Sequence, residues 1–199
     1  FTKLKVTQSL VEKTLGMTDL PLLSEPNLQQ QLVEIGYQGK KLEELEGLSA
    51  TEKANMLFIV QDPYTSYYDA KVVRDFVALT QKLGFEPTIL PFKPNGKAMH
   101  IKGFLTRFSK TAKTQAEFLN RVAKLNVPLV GVDPAIVLSY RDEYKEVLGD
   151  SRGDFHVLTA HEWLTNQLES NALQSAVKNI AKSDRTFEWH LFPHCTEST

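Results

Sequence analysis

The sequence closes on F-E-W-H-L-F-P-H-C-T-E-S-T, residues 187–199, a stretch that holds its one cysteine. Cys195 admits three readings. It is a small buried hydrophobe, a nucleophile with His194 as the neighbouring base, or one ligand of an iron–sulfur cluster, which takes four thiolates where this chain supplies one. His190 and His194 would pair as metal ligands on a helix. The apolar residues Phe187, Trp189, Leu191 and Phe192 ahead of Pro193 point to a strand instead, where four extended steps hold the two rings about 13 Å apart. Chelation by that pair is not expected.

Three internal stretches carry polar chemistry. Q-D-P-Y-T-S-Y-Y-D, residues 61–69, reads either as a capped turn whose tyrosines pack a helix flank, or as a pocket wall in which Asp62, Tyr64, Thr65 and Ser66 offer hydrogen bonds. K-P-N-G-K-A-M-H-I-K-G, residues 93–103, places a tight Asn95-Gly96 turn among Lys97, His100 and Lys102, and is either a solvated loop or an anion-facing one. Arg141-Asp142-Glu143 reads as a solvated charged face. His161-Glu162 opens like a metalloprotease helix, but Thr165 stands where the second histidine is needed.

The elements that must position these residues are also legible. M-L-F-I-V at 56–60 is a short continuous apolar run, the mark of a strand covered on both faces. Residues 69–83 then carry apolar side chains at helical spacing between Asp69 as N-cap and Gly84 as C-cap. P-T-I-L-P-F (87–92) and V-P-L-V-G-V (127–132) predict further strands, with helices over 101–108 and 116–125 between them. Asp133-Pro134 predicts a helix over 135–148, a cap followed by proline at the first helical position. Residues 155–158, 162–168 and 173–181 continue the alternation, and 186–192 is a last strand. Strands and helices in alternation predict an α/β fold: a doubly wound, mainly parallel, Rossmann-like sheet with helices on both faces. Ligands in such folds sit in the loops at the strands' carboxyl ends. Residues 1–50 read as a helical arm interrupted by Pro21 and Pro26.

Composition narrows the function classes. The chain has 199 residues, 42% hydrophobic and 24% charged, with a net charge of -1 and no dominant Lys/Arg stripe, so no electrostatic footprint for nucleic acid is expected. No apolar run reaches the roughly 18 residues of a transmembrane helix. The opening F-T-K-L-K-V-T-Q lacks an initiating Met and a signal segment, so a fragment of a longer protein is expected. One cysteine makes a reducing cytoplasm the default compartment, with the inner face of the membrane as an alternative. G-x-G-x-x-G, the P-loop pattern and C-x-x-C do not occur, so dinucleotide, P-loop and compact zinc or redox sites have no sequence support.

F-I-V-Q-D-P-Y-T-S-Y-Y-D, L-P-F-K-P-N-G-K, G-V-D-P-A-I-V-L-S-Y-R-D-E-Y-K-E-V-L-G-D and L-F-P-H-C-T-E together resemble the C-terminal region of bacterial FAD-linked, iron–sulfur oxidoreductases of the D-2-hydroxyglutarate or D-lactate dehydrogenase type. That region is similar to the cysteine-rich CCG domain of heterodisulfide reductase and of anaerobic glycerol-3-phosphate dehydrogenase. The resemblance implies a first, cysteine-depleted repeat over 51–185 and the start of a second over 186–199. It also implies that residues 1–50 link to an upstream ferredoxin-like domain. In the first repeat the thiolate positions fall at 61–63, at Pro94-Asn95-Gly96 and near Ile136, and hold no cysteine; only the loop glycine, Gly96, remains. Cys195 matches the first cysteine of the second repeat.

The implied function is an electron-relay or docking module, not catalytic alone, in an enzyme carrying FAD and 4Fe–4S clusters that oxidises a D-2-hydroxy acid. Its implied partners are the upstream FAD and ferredoxin-like domains and an electron acceptor. Two alternatives stay open: an interdomain scaffold, and a module binding a small anionic metabolite through Asp62, Thr65, Asn95, His100 and Lys102, with Tyr64, Ser66, Gly96 and His194 around them.

Overall fold

The computed structural model describes residues 21–169 and residue 173. The N-terminal stretch of the expected arm, residues 174–181 of the helix expected at 173–181, the last strand, His190, His194 and Cys195 lie outside the described residues.

Short helices α1 (Leu28–Glu34), α2 (Leu42–Leu45) and α3 (Ala50–Lys53) precede strand β1 (Met56–Val60). There follow α4 (Pro63–Tyr67), α5 (Ala70–Lys82), β2 (Glu86–Ile89), α6 (Lys97–Ile101), α7 (Leu105–Ala123) and β3 (Leu129–Gly131). The described chain ends with α8 (Pro134–Arg141), α9 (Glu143–Leu148), a 3-10 turn at Gly149–Arg152, β4 (Val157–Thr159) and α10 (Ala160–Glu169). The strands form one all-parallel sheet in the order β2-β1-β3-β4. The expected α/β layer is therefore present.

Every residue of β1 is buried, and its period of two divides the core. Met56, Phe58 and Val60 face a cluster built from Phe108, Ala112, Leu119, Val137, Tyr140 and Tyr144 of α7, α8 and α9. Leu57 and Ile59 face Val73, Phe76 and Val77 of α5 and Trp163 of α10. Residues 28–48, which belong to the sequence-predicted arm, lie against this body. Leu28 and Leu32 join the α5 face and Leu45 the α7 face.

Local chemistry shapes the elements, and in places departs from the pattern. Helix α5 starts as predicted, but Asp69 makes no side-chain cap; the Ala70 N–H donates instead to Ser24 Oγ at 2.9 Å. Gly84 ends it at φ +86°, where a side chain would be strained. Much of the two helices predicted over 101–108 and 116–125 forms a single helix, α7, because Ala112, Gln115 and Ala116 continue its buried stripe between Phe108 and Leu119. The predicted 135–148 helix divides at Asp142.

Strand β2 forms one margin of the sheet. Its Glu86 and Leu90 N–H groups point inward to the carbonyls of Asn55 and Ile59, so by alternation Pro87 and Ile89 face outward. Pro87 has no N–H to offer, and the Ile89 N–H donates to the Tyr37 hydroxyl at 2.8 Å.

Candidate functional site

The chain runs outward from β1 to β2, then crosses back over β1 to β3, so strand order reverses between β1 and β3. Crevices for ligands form above the carboxyl ends at such a reversal. Each of these two strands is followed by an aspartate and a proline, Asp62-Pro63 and Asp133-Pro134, and each aspartate caps the helix that the proline begins.

Asp62 is 2% exposed. Its Oδ1 accepts the Thr65 N–H at 2.9 Å and its Oδ2 accepts the Thr65 hydroxyl. Burial pushes its carboxyl above the usual range, the Thr65 hydrogen bonds oppose this, and the Asp133 charge adds to the rise. Asp133 Oδ1 accepts the Ala135 N–H at 2.8 Å.

Beneath the two carboxylates lies a buried polar cluster that the sequence did not single out. Tyr140 accepts a 3.4 Å hydrogen bond from Gln115 Nε2, and Tyr144 donates at 2.6 Å to the Asn95 carbonyl. The two rings meet edge to face at 5.1 Å. Burial raises both phenols well above their ordinary value, with Asp62 and Asp133 adding to Tyr140, so both stay neutral. The i,i+4 spacing of Tyr140 and Tyr144 was the available signal.

The Asn95-Gly96 turn forms as expected. Asn95 Oδ1 accepts the Lys97 N–H at 2.9 Å, and Gly96 sits at φ +80°, where a Cβ would lie 2.9 Å from Phe108. Lys97 turns inward to pair with Glu143. Burial raises the Glu143 carboxyl, but the Lys97 ammonium more than offsets this and leaves it below the ordinary range. His100 Nδ1 lies 3.9 Å from the same carboxylate, and its ring packs on Phe108 at 4.8 Å.

The structure thus separates the sequence candidates. Asp62 and Thr65 are bonded to each other. Asn95, Gly96 and His100 gather around Glu143 and Tyr144. Tyr64 is exposed and stacks on Tyr68 at 6.3 Å, and Lys102 is exposed at the end of α6. Ser66 opens elsewhere, into a groove of about 1010 Å³ between α1, residues 37–43 and the carboxyl ends of β1 and β2. Tyr67 and Phe92, edge to face at 5.2 Å, line the same groove.

Arg141-Asp142-Glu143 is not the solvated face that the sequence predicts. Asp142 alone is exposed. Arg141 reaches across to β4 and α10, donating through NH1 to Glu162 Oε1 at 2.9 Å and through NH2 to the Val157 carbonyl at 2.8 Å. Glu162 also accepts the Thr159 N–H at 2.8 Å. The guanidinium holds its carboxyl down to about 2.

Among the described residues, no three His, Cys, Asp or Glu side chains converge as metal ligands. The positions that the family resemblance assigns to thiolates in this repeat hold Gln61, Asp62 and Pro63, then Pro94 and Asn95, then Ile136. None offers sulfur; Asp62 spends its oxygens on the Thr65 N–H and hydroxyl, and Asn95 its side-chain oxygen on the Lys97 N–H. These residues do not fit an iron–sulfur cluster.

Among known proteins, the chain is 81% identical over 199 residues to a D-2-hydroxyglutarate dehydrogenase of Haemophilus influenzae and spans 19% of that protein's length. It is 57% identical over 194 residues to the D-2-hydroxyglutarate dehydrogenase of Escherichia coli, and 34% identical over 194 residues to that of Pseudomonas putida, spanning 18% of each. No family model matches the chain. No solved structure matches it.

Proposed function

We propose, on the premise that this chain is homologous to one segment of the D-2-hydroxyglutarate dehydrogenases, that it is a non-catalytic docking layer in an oxidoreductase acting on D-2-hydroxyglutarate. The observation that carries the assignment is the 81% identity along the full 199 residues, to a protein of which the chain spans 19%. The non-catalytic role is supported by the way the polar loops close on themselves: Asp62 on Thr65, Asn95 on Lys97 and Tyr144, and Lys97 on Glu143. A general base must present a free lone pair toward substrate, and these groups are committed to holding loops together.

FAD and 4Fe–4S clusters enter the proposal through the family resemblance alone. FAD would accept the substrate hydride in another domain, and Cys195 would supply one thiolate of a cluster completed by other residues. The described residues would then present a rigid surface for the cluster-bearing domains.

The test uses the intact enzyme and its Cys195→Ser variant, purified anaerobically. Iron content and visible absorbance should fall in the variant, while reduction of a dye that takes electrons from the flavin, driven by D-2-hydroxyglutarate, should persist. Unchanged iron removes the ligand role. Turnover of D-2-hydroxyglutarate by the 199-residue chain alone would show that the chain is itself catalytic.

A further inference from the structure

Charge is unevenly distributed along this near-neutral chain. Between Pro87 and Ala116 there are six basic residues, Lys93, Lys97, Lys102, Arg107, Lys110 and Lys113, and no acidic one. Of the six, Lys97 alone has a carboxylate partner among the described residues, Glu143, and Lys93 lies 5.8 Å from the Phe118 ring centroid. Lys102, Arg107, Lys110 and Lys113 are exposed on the α6–α7 corner and the outer side of α7. None of the four has a carboxylate partner among the described residues.

The same corner carries large apolar side chains turned outward. Ile101 is 73% exposed, Phe104 52% and Leu105 55%. They are consecutive in space, because Lys102 and Gly103 form the turn between α6 and α7, with Gly103 at φ +74°. Single exposed leucines are ordinary, but three large apolar residues at one corner mark an interaction surface. Arg107 lies 5.8 Å from the Phe104 ring centroid, so a cation and an aromatic ring share the tip.

We propose that this corner docks the protein onto an anionic lipid surface, with Ile101, Phe104 and Leu105 entering the headgroup boundary and Lys102, Arg107, Lys110 and Lys113 binding lipid phosphates. An apolar tip flanked by unpaired cations is the combination that such interfaces select. An acidic protein partner would account for the cations, but it would not call for three apolar side chains at the apex of the turn. Buried Phe108, Ala112, Gln115 and Leu119 hold α7 to the body on its opposite side, so the basic face can meet a surface without unfolding. Lipid docking is independent of the dehydrogenase assignment, since it concerns where the protein sits and not what it oxidises.

The test is co-sedimentation of the intact enzyme with unilamellar vesicles of 70% phosphatidylcholine and 30% phosphatidylglycerol, and with pure phosphatidylcholine. Binding is expected on the anionic vesicles only, with release at high salt. Each cation near the surface contributes about fivefold in partitioning, so neutralising Lys102, Arg107, Lys110 and Lys113 to Gln together should weaken binding by at least about 100-fold. Phe104→Trp should shift the indole emission to the blue on the anionic vesicles, a readout of insertion. Because all these positions are exposed, circular dichroism and Tm should match the parent. The proposal is overturned by no binding to anionic vesicles, by equal binding to both compositions, by undiminished binding of the neutralised variant, or by an unshifted emission spectrum of Phe104→Trp.

Discussion

Glu162→Gln tests how a long-range ion pair fastens α8 to β4 and α10. Glu162 lies 21 residues from Arg141 in sequence, and its carboxylate takes the guanidinium on one side and the Thr159 N–H on the other. The carboxyl falls from an ordinary 4.5 to about 2, chiefly through the Arg141 hydrogen bonds. Taken at face value that shift corresponds to about 3 kcal/mol. The Glu162 side chain is 35% exposed, and solvent screening at such a site reduces the contribution to about 1 kcal/mol. The sign is that of a depressed carboxylate: its stabilisation is complete above pH 4.5 and is lost as pH falls through about 2. Gln retains the shape and can still accept from Thr159, so the substitution isolates the charge. Urea denaturation of parent and variant at a series of pH values between 7 and 3 should show a gap of about 1 kcal/mol at neutral pH that narrows below pH 4.5. A gap of constant size across that range would refute the electrostatic account, and no gap at pH 7 would show that the pair contributes nothing.

Other substitutions probe the packing around the reversal point. In Gly131→Ala the new Cβ would lie 2.4 Å from Val137 Cγ2, an overpacking expected to cost about 1–3 kcal/mol. Adding Val137→Ala should cost less than the sum of the single changes in a denaturation cycle. Gly96→Ala forces both a φ of +80° and contact with Phe108, and a loss of about 2 kcal/mol or more should be seen by thermal or chemical melting. Tyr144→Phe removes the 2.6 Å bond to the Asn95 carbonyl. It should cost about 1–2 kcal/mol and speed amide exchange at Gly96 and Lys97.

The sheet was legible because its signals are local. Met56–Val60 is an unbroken apolar run, and Asp133-Pro134 states a helix start in two adjacent residues. Non-local effects were not legible. Ser24, 46 residues from Ala70, takes over the cap that Asp69 was expected to supply. Helix α7 was divided in prediction because the middle of its buried stripe consists of Ala112, Gln115 and Ala116, which carry little apolar signal. The break at Asp142 was hidden because buried Tyr140 and Tyr144 lie on opposite sides of it and keep the stripe continuous. For the site, residue types identified the polar loops but not the direction each side chain takes. Asp62 and Lys97 turn inward while Lys102 turns outward, and only the fold decides that. The basic segment 87–116 was present in the sequence but concealed by a net charge of -1.

The outer flank of β2 is closed to further pairing. With a proline at one outward position and a phenol on the N–H of the next, an incoming backbone finds no ladder of donors there, a protection that guards exposed strands against self-association. Among the described residues the opposite flank, β4, has no neighbour beyond it. The layer can therefore be lengthened in one direction only: another strand, from this chain or a companion, would have to join beside Val157–Thr159, while Pro87 and the Tyr37 hydroxyl border the far side.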